Sequence, residues 1–524
     1  MIYADFMISK IKAFSKTDSK YLILLVVLIL GYFLTRLLGL TKIPVFCDEA
    51  IYIRWAQIMR SVTSLRFIPL SDGKQPLFMW LVMPSLKLFS DPLVAGRMIS
   101  VLAGLGTMIG VGVLCFVLFK KKEISLFASI LYLISPFCFF FDRMALADGL
   151  LSFFGVWFAA GVVLLINNQR LDLAMLSGIV LGLGLITKSP ALGFAVLLPL
   201  TLLLLAKHQK MSLRLSVVFG KQHLLAVGKL LGLWVILYLF AFAIYNILRL
   251  GPEFHMISIR NKDYIFSLSE ILKHPLNPFI GNFKSVIEWY WILLTPPVFI
   301  LGIFSIPLVL KNNFKKGLFL LLWWLTPLLA QSAIAKVYTS RYVLFSLPIF
   351  LIFAAVLLEQ IFSTLRSKVL TTVFLTVIFV VPFYQILLLI GFPEKASLPR
   401  NEREGYLEMW TVGYGIKESA EYLREVVKTK KVLVGTEGYF GTLPNGLEMY
   451  LEKVPNITII GVGQPVTEIS SKLTDGLKDS RVFLLVNDTR FEVGNDPRLK
   501  LINKYPKAIS SRGTRENLLF FELQ

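Results

Sequence analysis

Residues 21–38 read YLILLVVLILGYFLTRLL. This run comes close to the roughly 20 apolar residues that a helix needs to cross a bilayer. A secretory signal has a shorter apolar core and a small-residue cleavage site. Here twenty residues come first, including Lys10, Lys12, Lys16 and Lys20, and no A-x-A site follows. The segment reads as an uncleaved membrane anchor with its N-terminus in the cytoplasm.

Outward from this segment the chain stays apolar. Of its 524 residues, 56% are hydrophobic and 17% charged, and the mean hydropathy is +0.70. Soluble domains carry about 25% charged residues, so a soluble enzyme and a disordered chain are both excluded. Cys47, Cys115 and Cys138 are the only cysteines, which excludes a disulfide scaffold. Further apolar runs lie near 94–119, 124–141, 148–167, 172–188, 190–206, 229–248, 289–310, 317–335, 341–359 and 369–391, eleven with the first. With the N-terminus inside, the even-numbered connections are cytoplasmic. They carry Lys120, Lys121 and Lys122; Arg170; Lys207, Lys210, Arg214, Lys221 and Lys229; Lys311, Lys315 and Lys316; Arg366 and Lys368, with few acids. That is the positive-inside pattern. It supplies part of the net charge of +21; basic residues on the other side suit an anionic substrate. Residues 76–90, PLFMWLVMPSLKLFS, are too short to span and contain Pro84 and Lys87. They read as an interfacial or re-entrant helix. Counted as a span, they would put every lysine cluster outside.

The fold class is therefore a polytopic α-helical membrane protein of about eleven spans over residues 1–395, with external loops at 42–93 and 249–288. Near residue 395 the composition turns charged and turn-rich. A helical stretch at 415–428 precedes strand-like runs at 431–436, 457–462, 481–487 and 517–523. This alternation predicts a small extracytoplasmic α/β domain over 396–524. That region has no G-x-G-x-x-G, phosphate loop or metal-ligand spacing.

Ionisable residues at membrane depth or its edge are functional candidates, and here they gather on the outer side. Asp48 and Glu49 follow the first span, either as a base and its neighbour or as a helix cap and a first-turn charge. Lys74, in Ser71-Asp72-Gly73-Lys74-Gln75-Pro76, faces a phosphate or belongs to a plain turn. Arg97 at the outer end of the second span binds an anion or snorkels. Asp142, Arg143 and Asp148 form a local ion pair or a site wall. Lys188 stands on the outer side, where the positive-inside rule disfavours it. Arg341 and Tyr342 follow the ninth span, near Lys336 and Tyr338; His255, Arg260, Lys262 and His274 lie in the second loop. No H-x-x-H or H-E-x-x-H spacing supports a metal. Interfacial cations suit a phosphate headgroup on a lipid tail, and a carboxylate suits general-base work.

At these residues the chain resembles a known family. Asp48-Glu49-Ala50-Ile51-Tyr52 is similar to the D-E-x-x-Y signature of GT-C polyprenyl-phosphate-sugar-dependent glycosyltransferases. These include protein O-mannosyltransferases and the aminoarabinose transferase acting on lipid A. Lys74-Gln75-Pro76-Leu77 resembles their K/H-P-P-L segment, and Arg97-Met98-Ile99-Ser100 their R-x-x-S. Asp142 to Asp148, Thr187-Lys188-Ser189-Pro190 and Arg341-Tyr342 follow in the family's order, and the resemblance covers about residues 20–360. It implies a GT-C-like fold in the plasma (inner) membrane. It also implies inverting transfer of a sugar from a polyprenyl-phosphate donor on the outer leaflet. The acceptor would be a hydroxyl on a protein, lipid or polysaccharide. Asp48 would be the base and Glu49 its companion. Tyr52, Lys74, Arg97, Arg143, Asp148, Lys188, Arg341 and Tyr342 would line the substrate site, with Lys74, Arg97 and Lys188 or Arg341 on the phosphate. Gly73 stands where the lipid A enzyme has a metal-binding glutamate, so no required zinc or other cofactor is expected. Ile51 departs from the basic or aromatic residue of many relatives. No β-trefoil insertion is visible, which favours a bacterial or archaeal enzyme. The expected partners are the lipid-linked donor, the acceptor and membrane lipids, with no nucleic acid.

A lipid or solute transporter also has many spans and buried charges. Transporters often show two similar halves with broken helices at the midplane. No such repeat is visible here, and the charges lie at one face. A non-catalytic polyprenyl-phosphate binder is a third reading, against which the intact Asp48-Glu49 pair argues.

Overall fold

The computed structural model describes residues 16–205, 221–364 and 367–524. Lys10, Lys12, Lys207, Lys210, Arg214 and Arg366 of the expected inner loops lie outside the described residues. Seven described helices are long and apolar enough to cross a membrane, from Lys20–Leu37 and Pro92–Phe119 to Ser340–Thr364 and Val369–Gly391. Two expected spans are bent pairs instead: Lys122–Ile134 with Pro136–Asp142 at 63°, and Phe279–Leu293 with Pro296–Asn312 at 119°. Two more are the shorter apolar helices Leu171–Leu185 and Ser189–Leu205. All eleven expected segments are thus helical, but the uninterrupted spans number seven, or nine if each bent pair counts as one. Proline explains the difference. It has no N–H to give and its ring clashes with the preceding turn, and Pro136, Pro190, Pro199, Pro296 and Pro297 stand at these interruptions.

The first break is held by a buried polar clasp. A broken helix leaves carbonyls without N–H donors for their lone pairs. Arg36, on the first span and fully buried, donates to the carbonyls of Leu133 at 2.6 Å and Tyr132 at 3.4 Å. Its Nε faces Asp142 at 3.3 Å. The same carboxylate accepts from Tyr32 at 3.1 Å and Tyr132 at 3.0 Å. Gly104 makes room for it: a Cβ there would lie 2.2 Å from the Tyr32 hydroxyl and 2.3 Å from Asp142 Oδ1. Asp142 is therefore part of this clasp and not of a site wall.

Between the first two long spans lie helices Cys47–Ser61 and Leu77–Ser85, the short helices expected in loop 42–93. The second buries Leu77, Phe78, Met79 and Val82 against the protein. The C-terminal region holds a sheet of β1 (Val432–Thr436), β2 (Ile457–Gly461), β3 (Arg481–Asn487), β4 (Leu499–Pro506) and β5 (Asn517–Leu523), in the order β2-β1-β3-β5-β4. β1 runs parallel to β2 and β3; β5 runs antiparallel to β3 and β4. Four strands fall on the expected runs. β4 was not expected: an edge strand with no buried residue, LKLINKYP, needs no apolar run.

Helix Cys47–Ser61 joins the two parts. Cys47 N–H donates to Thr411 at 2.9 Å, and Gly413 N–H to Val45 at 2.8 Å. Arg54 pairs with Glu448 at 3.1 Å, Arg60 with Glu452 at 2.8 Å, and Gln57 donates to the Met449 carbonyl at 2.9 Å. These bonds seat the sheet domain on the element that carries Asp48.

Candidate active site

Helix Cys47–Ser61 has Phe46 as its N-cap, so Asp48 is its second residue and caps nothing. The capping work falls to Glu49, whose Oε2 accepts the Phe46 N–H at 3.0 Å. Asp48 points at cations from two segments distant in sequence. Its Oδ2 lies 2.7 Å from Arg341 and its Oδ1 3.5 Å from Lys74, and its side chain keeps 18% exposure. Burial alone would push the Asp48 carboxyl up. Lys74 and Arg341 override this and hold it well below the usual carboxylate range.

Lys74 also pairs with Asp72 at 3.2 Å and lies over the rings of Tyr52 and Trp55 at 5.2 and 5.8 Å. Asp72 reaches on to Arg260 of the second loop at 3.3 Å. Gly73 permits that approach: its φ is +65°, and a Cβ would lie 2.4 Å from the Arg260 Cβ. On the other flank, Lys188 donates to Asp148 at 2.5 Å and lies 4.2 Å from the Tyr342 ring centre. Burial pulls the Lys188 ammonium below its ordinary value, against the opposing effect of Asp148. Glu402, after the last span, accepts the Ser340 N–H at 2.8 Å and so fixes the backbone beside Arg341. Burial pushes its carboxyl up.

Seven of the residues picked out in the sequence therefore come together: Asp48, Tyr52, Lys74, Asp148, Lys188, Arg341 and Tyr342. Three do not join them. Arg97 is 1% exposed and all its N–H groups are taken. They go to Glu49 at 2.7 and 2.8 Å, Leu40 at 2.6 Å, Ile43 at 2.8 Å and Pro44 at 3.0 Å. Glu49 is fully buried and also accepts the Ala145 N–H at 2.6 Å. The two form a buried brace beside Asp48. Arg143 donates to Leu38 at 2.8 Å and Gly39 at 2.5 Å and stacks on Phe139, a clasp on the turn after the first span. Asp72, Arg260 and Glu402 were missed as members. A lone carboxylate in a turn or after a span carries no spacing signal. Among the described residues, no group of three or more His, Cys, Asp or Glu side chains is placed to hold a metal ion.

The described residues thus form a helical bundle with an ion cluster at one end and a small sheet domain bonded to the helix that carries Asp48. A protein-family model for dolichyl-phosphate-mannose-protein mannosyltransferases matches residues 73–245. The fold resembles ArnT from Cupriavidus metallidurans bound to undecaprenyl phosphate, at 15% identity over 97% of this chain and 98% of that one, with a TM-score of 0.56. It also resembles the Archaeoglobus fulgidus oligosaccharyltransferase in complex with Zn and sulfate, at 13% identity over 88% and 68% of the two chains and a TM-score of 0.51. AglB from the same organism, with an inhibitory peptide and a dolichol-phosphate, aligns at 13% identity over 96% and 74% with a TM-score of 0.50. At these identities the likeness is one of fold. No curated protein matches the sequence. The family model thus matches one stretch of the chain, and the solved structures share its fold.

Proposed function

We propose that this protein transfers a sugar, with inversion, from a polyprenyl-phosphate donor to an acceptor hydroxyl at the outer face of the plasma membrane. One observation carries the reading: a single carboxylate, Asp48, held between Arg341 and Lys74 at 2.7 and 3.5 Å. A carboxylate so tightly paired is a weak base. The donor changes that. Its phosphate competes with Asp48 for the same cations, and drawing Lys74 and Arg341 onto it frees Asp48 and raises its basicity. Asp48 then takes the acceptor proton as the acceptor oxygen bonds to the anomeric carbon. The bond from that carbon to the phosphate oxygen breaks, and the electron pair leaves on a phosphate held by Lys74, Arg341 and Lys188. Glu49 and Arg97 position Asp48 from behind, and Tyr52 and Tyr342 hold the cations. Related structures contain undecaprenyl phosphate in one case and dolichol-phosphate in another, which supports a lipid-linked donor here.

The test is Asp48→Asn in purified protein. The variant is expected to fold and bind donor, with turnover lower by roughly 10²–10⁴. Transfer at the wild-type rate would remove Asp48 from the chemistry and leave Asp148 as the next base.

A further inference from the structure

Three guanidiniums lie buried near the end of the first span that leads to Asp48: Arg36, Arg97 and Arg143. Two of them have a carboxylate of their own. Arg36 faces Asp142 at 3.3 Å, and Arg97 holds Glu49 at 2.7 Å. Arg143, 6% exposed, has none among the described residues. The charged groups that act on it are Arg97 and Arg36, both cations. Its Nη2 donates to the carbonyls of Leu38 and Gly39, and its Nε is buried with no hydrogen-bond partner. The carbonyl end of a helix carries about half a negative charge, which offsets only part of the cation. A buried lysine could shed its proton to relieve this; a guanidinium cannot.

Arg143 also lines a cavity of about 10 Å³ between the turn after the first span and helix Val369–Gly391. Leu40, Ile43, Phe139, Phe140 and Leu389 line it too, and all are buried. Phe139 stacks on the guanidinium at 4.6 Å from its ring centre. A stacked ring covers a face of the guanidinium and leaves the N–H groups in its plane to other partners. Arg97 reaches the cavity as well, but its N–H groups are all taken. No lining side chain is a carboxylate, amide or hydroxyl. The volume takes about one water-sized occupant. A water brings two hydrogens that need acceptors, and these side chains offer it only a donor. An occupant of that size that accepts and does not donate is a monatomic anion.

We propose that this cavity binds a halide ion, chloride under cellular conditions, as the counter-charge of Arg143. The ion completes the clasp on residues 38–44, whose carbonyls Arg143 and Arg97 hold and which lead into helix Cys47–Ser61. The site is separate from the ion cluster around Asp48 and stands whether or not the transferase reading holds.

Melting of the full-length protein in detergent tests it, with sodium chloride or bromide replacing sodium gluconate at constant ionic strength. A ligand that binds only the folded state raises Tm with its concentration. Chloride and bromide are expected to raise the Tm of wild type along a saturating curve, relative to gluconate, which is too large for the cavity. Arg143→Met removes the charge at similar length and should lose the rise. Lys42→Gln, at an exposed lysine in the same turn, should keep it. No rise in wild type, a rise that never saturates, or an undiminished rise in Arg143→Met overturns the site. So does an equal loss in Lys42→Gln, which would mean diffuse charge attraction. Should Arg143→Met fail to fold, wild-type crystals grown in bromide decide the matter. An anomalous peak within hydrogen-bond distance of Arg143 is expected there, and its absence overturns the proposal.

Discussion

Asp48 faces two demands that conflict. Paired with Arg341 and Lys74 it is stable and nearly non-basic; unpaired it is a base. Glu49, one residue on, has no such conflict, because Arg97 and two backbone N–H groups satisfy it permanently. Removing one partner of a buried ion pair costs about 3–5 kcal/mol. Arg97→Ala is therefore expected to lower the thermal stability of the whole protein, with Glu49→Gln close behind and the double variant less than additive. Loss of donor affinity in Arg97→Ala at full stability would return Arg97 to the phosphate. Lys74→Ala, by contrast, removes a charge-assisted contact of about 1.5–3 kcal/mol, so donor affinity should fall roughly tenfold or more with the fold intact. Lys188 sets a pH limb. Its pKa lies below the ordinary lysine value of 10.5, and the charged form is the one that holds an anion. Donor binding is thus complete below that depressed pKa and declines as pH rises through it. Lys188→Arg keeps its charge to above pH 12 and should move the decline upward. An unmoved limb would assign the titration to another group.

At the scale of elements, hydropathy and proline act against each other. Long apolar runs made all eleven helical segments visible, though only seven of them are uninterrupted helices long enough to cross a membrane. The interruptions were legible only as prolines whose effect depends on whether neighbours rescue the freed carbonyls. At Ser135-Pro136 the rescue comes from Arg36, about a hundred residues earlier, which no local pattern reveals. The site was legible to the same degree. Asp48, Lys74, Lys188 and Arg341 stood out as charges beside apolar runs. Whether a charge joins the Asp48 cluster or its own brace is decided by contacts far apart in sequence. Arg97 and Lys74 look alike in sequence, and only the Glu49 carboxylate separates them. Glu402 had no signal, because its role is to fix one backbone N–H. The clasp at the break gives its own expectation. Gly104→Ala places a methyl against the Tyr32 hydroxyl and Asp142. Overpacking of this kind costs about 1–3 kcal/mol. Melting of the purified protein should drop accordingly, and an unchanged Tm would show that the clasp can shift at no cost.

For the whole molecule, the contacts sort the charges into two ends. At one end lie Asp48, Lys74, Lys188 and Arg341, together with the sheet domain bonded to helix Cys47–Ser61. At the other, Tyr21 donates to Glu123 at 2.6 Å, and Lys121 pairs with Glu359 at 2.9 Å. That places the start of the first described helix, at Tyr21, on the same side as the Lys120–Lys122 turn. Among the described residues seven helices are long and apolar enough to cross, or nine if each bent pair is one span. The sheet domain, bonded to helix Cys47–Ser61, lies at the end opposite Tyr21 and Lys121. We propose which end is cytoplasmic from charge alone. Short loops rich in lysine and arginine stay inside, and the end carrying Lys120, Lys121, Lys122, Lys311, Lys315 and Lys316 meets that description. Reporter fusions at residue 120 and after residue 524 should therefore report cytoplasm and exterior respectively. Both on one side would break the two-ended arrangement itself. A clean reversal would keep the arrangement and the site, and would move the reaction to the cytoplasmic leaflet.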